Sequence, residues 1–199
     1  MRDPDYDCRH PAIKFWYNLD VPALTLRPAQ ANDVTRLIEL DHSYSTEYVW
    51  QMDSREESGQ STVAFRQVRL PRSMRVTFAR HPGDVSETWS RSEAFLIAEG
   101  EGHVKGYLGL VLGPLADAGW IADFAVDRRW RRQGVGTALF LKALALAREL
   151  NWRRLIVEMQ SKNHPAIAFC QKHGLNFCGY NDHYYANQDI ALFFGLTLR

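Results

Sequence analysis

The stretch that most constrains this fold runs from Gly119 to Leu150, where an apolar strand ends in an arginine cluster and a glycine pair opens a long helix. Residues 119–126 read as a buried strand, and residues 134–150 carry helix formers almost without interruption. Apolar residues go most of the way round that helix, so it has to lie against a sheet. Between the two elements stand Arg128, Arg129, Arg131 and Arg132, then Gln133-Gly134-Val135-Gly136-Thr137. A helix start leaves its first N–H groups unpaired and carries partial positive charge, which suits phosphate oxygens. Gly134 and Gly136 leave those groups approachable, and Arg131 and Arg132 add charge-assisted hydrogen bonds. A solvated arginine turn would use the same residues, so the junction alone does not decide.

Around this junction the chain alternates strands and helices. Strands are expected at 23–26, 93–98, 103–111, 153–158, 175–180 and 189–196. A short capped helix is expected from Asp33, and a second helix at 163–173, capped by Asn163, with Pro165 in its first turn and Gly174 after its last. Residues 43–82 are poorly patterned. Two strands, 62–70 and 73–78, flank Pro71-Arg72, which reads as a hairpin turn. The order strand, helix, strand, helix, strand, strand after Gly119 argues for a mixed sheet with helices on its faces.

These elements resemble the GNAT family of N-acetyltransferases. Arg131-Arg132-Gln133-Gly134-Val135-Gly136 fills every defined position of that family's Arg/Gln-x-x-Gly-x-Gly/Ala motif. The strand Ile121-Ala122-Asp123-Phe124-Ala125-Val126-Asp127 is similar to its central strand, and Asn163 to Leu175 to its second cofactor helix. The resemblance implies an α/β (α+β) fold: a mixed, mostly antiparallel twisted sheet with a splayed central strand pair, flanked by helices. It further implies a single acetyltransferase domain over 23–199, preceded by an arm at 1–22 whose order the sequence leaves open. The implied co-substrate is acetyl-coenzyme A, and the implied reaction moves its acetyl group to an amine by direct attack in a ternary complex.

The resemblance also distributes roles. Backbone N–H groups of Gln133, Gly134, Val135, Gly136 and Thr137 would hold the pyrophosphate, with Arg131 and Arg132 beside it. Those of Phe124, Ala125 and Val126 would serve the pantetheine arm and the thioester carbonyl. Asn163 would contact the cofactor, cap its helix, or both, and Lys172 would lie near the 3′-phosphate or simply be solvated. Asp123 is the candidate base, or else a structural carboxylate anchoring a loop. Where many relatives place a tyrosine this chain has Cys170, which is either the proton donor or a packing residue. Tyr184 is preferred to Tyr185 as the donor, because period-2 alternation turns only one of the pair inward.

The same resemblance extends to streptothricin acetyltransferases and to ribosomal-protein N-terminal acetyltransferases, so the acceptor is a small-molecule amine or a peptide. A catalytically silent acyl-CoA-binding module is the alternative. The formal net charge of +1 gives no global reason for nucleic acid or an anionic membrane, although residues 127–154 hold eight basic side chains against two acidic. Cys8, Cys170 and Cys178 form no disulfide framework, and Cys8-Arg9-His10 with the scattered histidines gives no zinc spacing. No metal is expected. A cytoplasmic protein, monomeric or homodimeric, fits best.

Overall fold

The computed structural model describes residues 24–77, 83–115 and 117–198; the expected arm at 1–22, with Cys8-Arg9-His10, lies outside them. A seven-stranded sheet runs in the order β1-β4-β5-β6-β7-β9-β8. Its members are β1 (Thr25–Pro28), β4 (Ala94–Gly100), β5 (His103–Leu112), β6 (Ala118–Val126), β7 (Arg154–Gln160), β8 (Asn176–Asn181) and β9 (Ala191–Thr197). All neighbours pair antiparallel except β6 and β7. Among the described residues four α-helices accompany it: α1 (Asp33–Ile38), α2 (Asp84–Arg91), α3 (Val135–Glu149) and α4 (His164–Lys172). Sequence patterning gave no sign of α2, an amphipathic helix whose buried residues are Val85 and Thr88.

Strand alternation sorts the core into two layers. Leu96 and Ala98 of β4, with Leu108 and Leu110 of β5, pack with Leu139, Phe140 and Ala143 of α3. Phe95, Ile97 and Tyr107 point the other way, to Leu37 of α1 and Val85 of α2. The helices therefore cover opposite faces of the sheet. Asn163 caps α4 as expected, its side chain accepting from Ala166 N at 3.2 Å. Asn32, at the α1 N-cap, makes no such bond; the carboxylate of Asp33 instead accepts from Gln30 N at 2.9 Å and from Arg27.

Pro71-Arg72 is not a turn. Residues 60–76 form one strand, β3 (Gln60–Val76), which pairs antiparallel with β2 (Tyr44–Glu57) as a separate two-stranded ribbon turning at Ser58-Gly59. The register jumps from Thr46↔Met74 to Tyr48↔Arg69, so Pro71 sits in an irregularity of the ladder. A proline has no N–H to give a ladder and is accommodated at such a bulge. Trp50 and Phe65 anchor the ribbon on Phe177 and Phe194, and Trp50 N donates to Ser161 O at 2.8 Å.

Candidate active site

The two parallel strands at the centre of the sheet part company. Ladder pairing between β6 and β7 covers Ala118↔Arg154 to Ile121↔Val157 and stops there, although β6 continues to Val126 and β7 to Gln160. The register between β5 and β6 slips at the same level, Gly109↔Asp123 being followed by Leu110↔Ile121, which leaves Ala122 as the extra residue of a bulge. Beyond Ile121 the edge of β6 facing β7 therefore has no ladder partner in this sheet. A cleft of about 830 Å³ occupies the gap, bounded by the start of α3 on one side and α4 on the other.

The junction from β6 to α3 is built by its backbone. Residues 128–130 make a 3-10 turn capped by the Asp127 carboxylate, which accepts from Arg129 N at 2.9 Å. Arg132 has φ 64° and Gly134 φ 86°, and these left-handed residues turn the chain into α3. Gly134 can hold that geometry without strain. The first helical bond runs from Ala138 N to Gly134 O at 2.9 Å, so the N–H groups of the first turn lie outside the helical ladder and open on the cleft. A left-handed glycine, a row of unladdered N–H groups and an open strand edge together fit a ligand with a pyrophosphate and an amide-bearing arm.

Most residues singled out from sequence meet here. Phe124, Ala125 and Val126 line the cleft from β6, and Arg132, Gln133, Gly134, Gly136 and Thr137 line it from the loop and α3. Asn163, Cys170 and Lys172 line it from α4. Arg131 also borders it, but its guanidinium donates to the backbone carbonyls of Ser43, Val126 and Asp41 at 2.6, 2.8 and 2.9 Å. Val135 instead turns into the core.

The candidate proton-handling residues are placed differently from one another. Asp123 is buried, outside the cleft lining, and paired in register with Gly109, beyond whose Cα the Phe95 ring packs. Strand alternation thus turns it towards the α1–α2 layer. Cys170 is buried in the α3–α4 core, and burial pushes its thiol up to about 12. Tyr184 is exposed and outside the lining, yet its hydroxyl donates to Glu158 Oε2 at 2.7 Å. Tyr185, its neighbour, is the one that is buried and borders the cleft.

Glu158, His42 and Gln160 border the cleft too and were not singled out from sequence, whereas Tyr44, which also borders it, lies in the 43–53 stretch where the sequence leads one to expect the acceptor wall. Glu158 had a signal: it is the one carboxylate of the otherwise apolar run Leu155-Ile156-Val157-Glu158-Met159. A carboxylate in such a strand is costly unless paired or functional, at Glu158 as at Asp123. His42 Nε2 lies 3.0 Å from Tyr107 Oη, and burial holds the imidazole below its usual range. Tyr44 Oη donates to Gln160 Oε1 at 3.0 Å, and Gln160 Nε2 in turn donates to Asp189. The aromatics of 43–53 point to an acceptor wall in that stretch, but the partner that fixes Tyr44, Gln160 of β7, is set by long-range pairing. Among the described residues no cluster of three His, Cys, Asp or Glu side chains is arranged to hold a metal, and no helix is long and apolar enough to cross a membrane.

Known proteins agree with this architecture. The sequence profile of the acetyltransferase (GNAT) family matches residues 62–175. A candidate ribosomal protein bS18 alanine N-acetyltransferase of Bacillus subtilis is 33% identical over 105 residues, 52% of this chain and 68% of that protein. Streptothricin acetyltransferase A of the same organism is 36% identical over 77 residues, 37% of this chain and 44% of that protein. The crystal structure of nourseothricin acetyltransferase has this fold, with TM-score 0.76 and 23% identity over 89% of this chain and 99% of that one. A candidate streptothricin acetyltransferase from Bacillus anthracis, in complex with acetyl coenzyme A, gives TM-score 0.72 and 22% identity over the same shares. Because the family profile spans more than half of the chain, the protein belongs to the GNAT family and is an acetyl-coenzyme A-dependent N-acetyltransferase.

Proposed function

We propose that this enzyme acetylates a primary amine of a small cationic molecule, by direct attack with both substrates held in the one cleft. The observation that carries the acceptor half is Glu158. Among the described residues it is the one carboxylate lining the cleft, on a wall otherwise supplied with basic, neutral polar and apolar side chains. A protonated amine is attracted there, and the carboxylate can take its proton once the amine is docked. Tyr184, hydrogen-bonded to Glu158 and exposed, orients that carboxylate and offers a route for the proton to solvent.

Acetyl-coenzyme A supplies the activated acyl group as a thioester. The N–H groups of 133–137 hold its pyrophosphate, and the open edge of β6 at Phe124, Ala125 and Val126 aligns the arm and donates to the thioester carbonyl. Asn163 and Lys172 line the other wall, where they meet the remainder of the cofactor. Asp123 lies on the far side of β6, outside the cleft lining.

The choice of a small molecule over a peptide rests on how the acceptor end is built. The β2–β3 ribbon and the 182–189 loop are tied to the far end of β7, through Trp50 N to Ser161 O and through Tyr44, Gln160 and Asp189. Such an end accommodates a compact amine better than a chain passing through. The test measures coenzyme A release with streptothricin, spermidine and a peptide with N-terminal alanine. A small cationic amine is expected to exceed the peptide in kcat/KM by at least about a hundredfold; a peptide preference would overturn the proposal. Glu158→Gln is expected to lower kcat by about a hundredfold, and Asp123→Asn by less than about tenfold. The opposite ranking would return the base to Asp123.

A further inference from the structure

We infer that Arg131, the leading arginine of the glycine motif, is a positioning residue for the acceptor wall and not a ligand of the cofactor's phosphates; this rests on the acetyltransferase reading above. Its Nη1 donates to Ser43 O at 2.6 Å, its Nη2 to Asp41 O at 2.9 Å and its Nε to Val126 O at 2.8 Å. Three of the five N–H donors of the guanidinium are thereby committed to carbonyls.

The spacing of the two carbonyls is the informative part. A planar fork that grips the carbonyls of Asp41 and Ser43 fixes the main chain on both sides of His42 and immediately before Tyr44. Both do border the cleft. Their far ends are fixed by other elements, His42 by Tyr107 of β5 and Tyr44 by Gln160 of β7. The segment is braced sideways as well: the Asp41 carboxylate accepts from Ser43 N and Oγ, and Ser43 Oγ accepts from Arg75 of β3.

Arg131 is thus the link between the cofactor loop and the wall that faces the acceptor, while its third bond pins the end of β6. Glutamine, which the family motif also admits at this position, cannot span two carbonyls and a third with one amide. Lysine keeps the charge but has no planar fork. With the guanidinium so occupied, the pyrophosphate is left to the first-turn N–H groups and to the exposed Arg132.

The experiment compares the full-length wild type with Arg131→Gln, Arg131→Lys and Arg132→Gln in three measurements. These are the Kd for coenzyme A by calorimetry, hydrogen exchange of amides 41–46, and KM for the best acceptor of the panel. Arg131→Gln is expected to bind coenzyme A within about twofold of wild type, while exchange at 41–46 accelerates and the acceptor KM rises, each by about tenfold. Arg132→Gln is expected to weaken coenzyme A and leave exchange at 41–46 unchanged. If Arg131→Gln weakens coenzyme A by about tenfold or more and leaves 41–46 protected, the guanidinium is a phosphate ligand and the inference fails. Should Arg131→Gln prove misfolded by circular dichroism, Arg131→Lys carries the same comparison. If no amine turns over, the proposed function fails on that result alone, and coenzyme A binding with exchange still decides the role of Arg131.

Discussion

Cys170 illustrates how a residue's surroundings limit its chemistry. It stands where many relatives have a tyrosine and it borders the cleft, which makes a proton-donating role attractive. Yet burial among Leu139, Phe140 and Ile167 raises its thiol to about 12, far above the pH at which an efficient general acid works. These surroundings favour a packing role over proton donation. The folded thiol stays neutral where the unfolded one, near 9.0, ionises. The unfolded state then holds fewer protons, so stability falls as pH rises from about 9 towards about 12. Urea titrations across that range should show a decline that Cys170→Ala flattens, and the pH dependence of kcat from about 6 to 9 should be the same in both proteins. A lost basic limb in the variant would restore Cys170 to the chemistry.

At the scale of elements, the entry to β6 depends on a missing side chain. The ring of Trp152, in the turn between α3 and β7, lies flat on Gly119, and a Cβ there would stand 1.8 Å from the ring. Trp152 is buried, and its backbone N–H donates to Ala147 O at 3.0 Å, so both the ring's surroundings and the main chain that carries it limit any retreat. Gly119→Ala is expected to destabilise the fold by about 1–3 kcal/mol, measured by urea unfolding. The companion change Trp152→Leu, which removes the overlap, should recover part of that loss. This contact begins the only stretch over which β6 and β7 pair, so the same variant should raise the Kd for coenzyme A.

For the whole molecule, one network ties α1 to the paired strands β1 and β4. Arg27 of β1 makes two bonds to the Asp33 carboxylate of α1, at 2.6 and 2.8 Å, and two to Glu99 of β4, at 2.8 and 2.6 Å. Asp33 is 2% exposed, and Arg27 with Gln30 N holds its carboxyl down to about 2 from 3.8. A depressed carboxyl contributes its full stability above its unfolded value and loses it as pH falls through the folded one. The window thus runs from about 4 down to about 2 and is worth about 2 kcal/mol. Wild-type Tm should fall across that window, and Asp33→Asn should lie lower at neutral pH and converge with wild type in acid. What the sequence determined by itself were the parts fixed by short-range rules: the glycine-opened α3, the Asn163 cap of α4, most strands of the sheet and the cofactor loop. Each is set by spacing or backbone preference within a few residues. At Pro71 the ribbon of β2 and β3 departs from the turn that local sequence suggests, because its pairing spans up to 32 residues, Tyr44 to Val76, and no local pattern encodes that register. Only the tertiary structure decided which side chains face the cleft. The bulge at Ala122 and the splay beyond Ile121 place Asp123 behind the sheet and Glu158 on the cleft wall, and the fold of the 182–189 loop turns Tyr185 inward. Facing depends on register, and register is settled by what packs on either side of a strand.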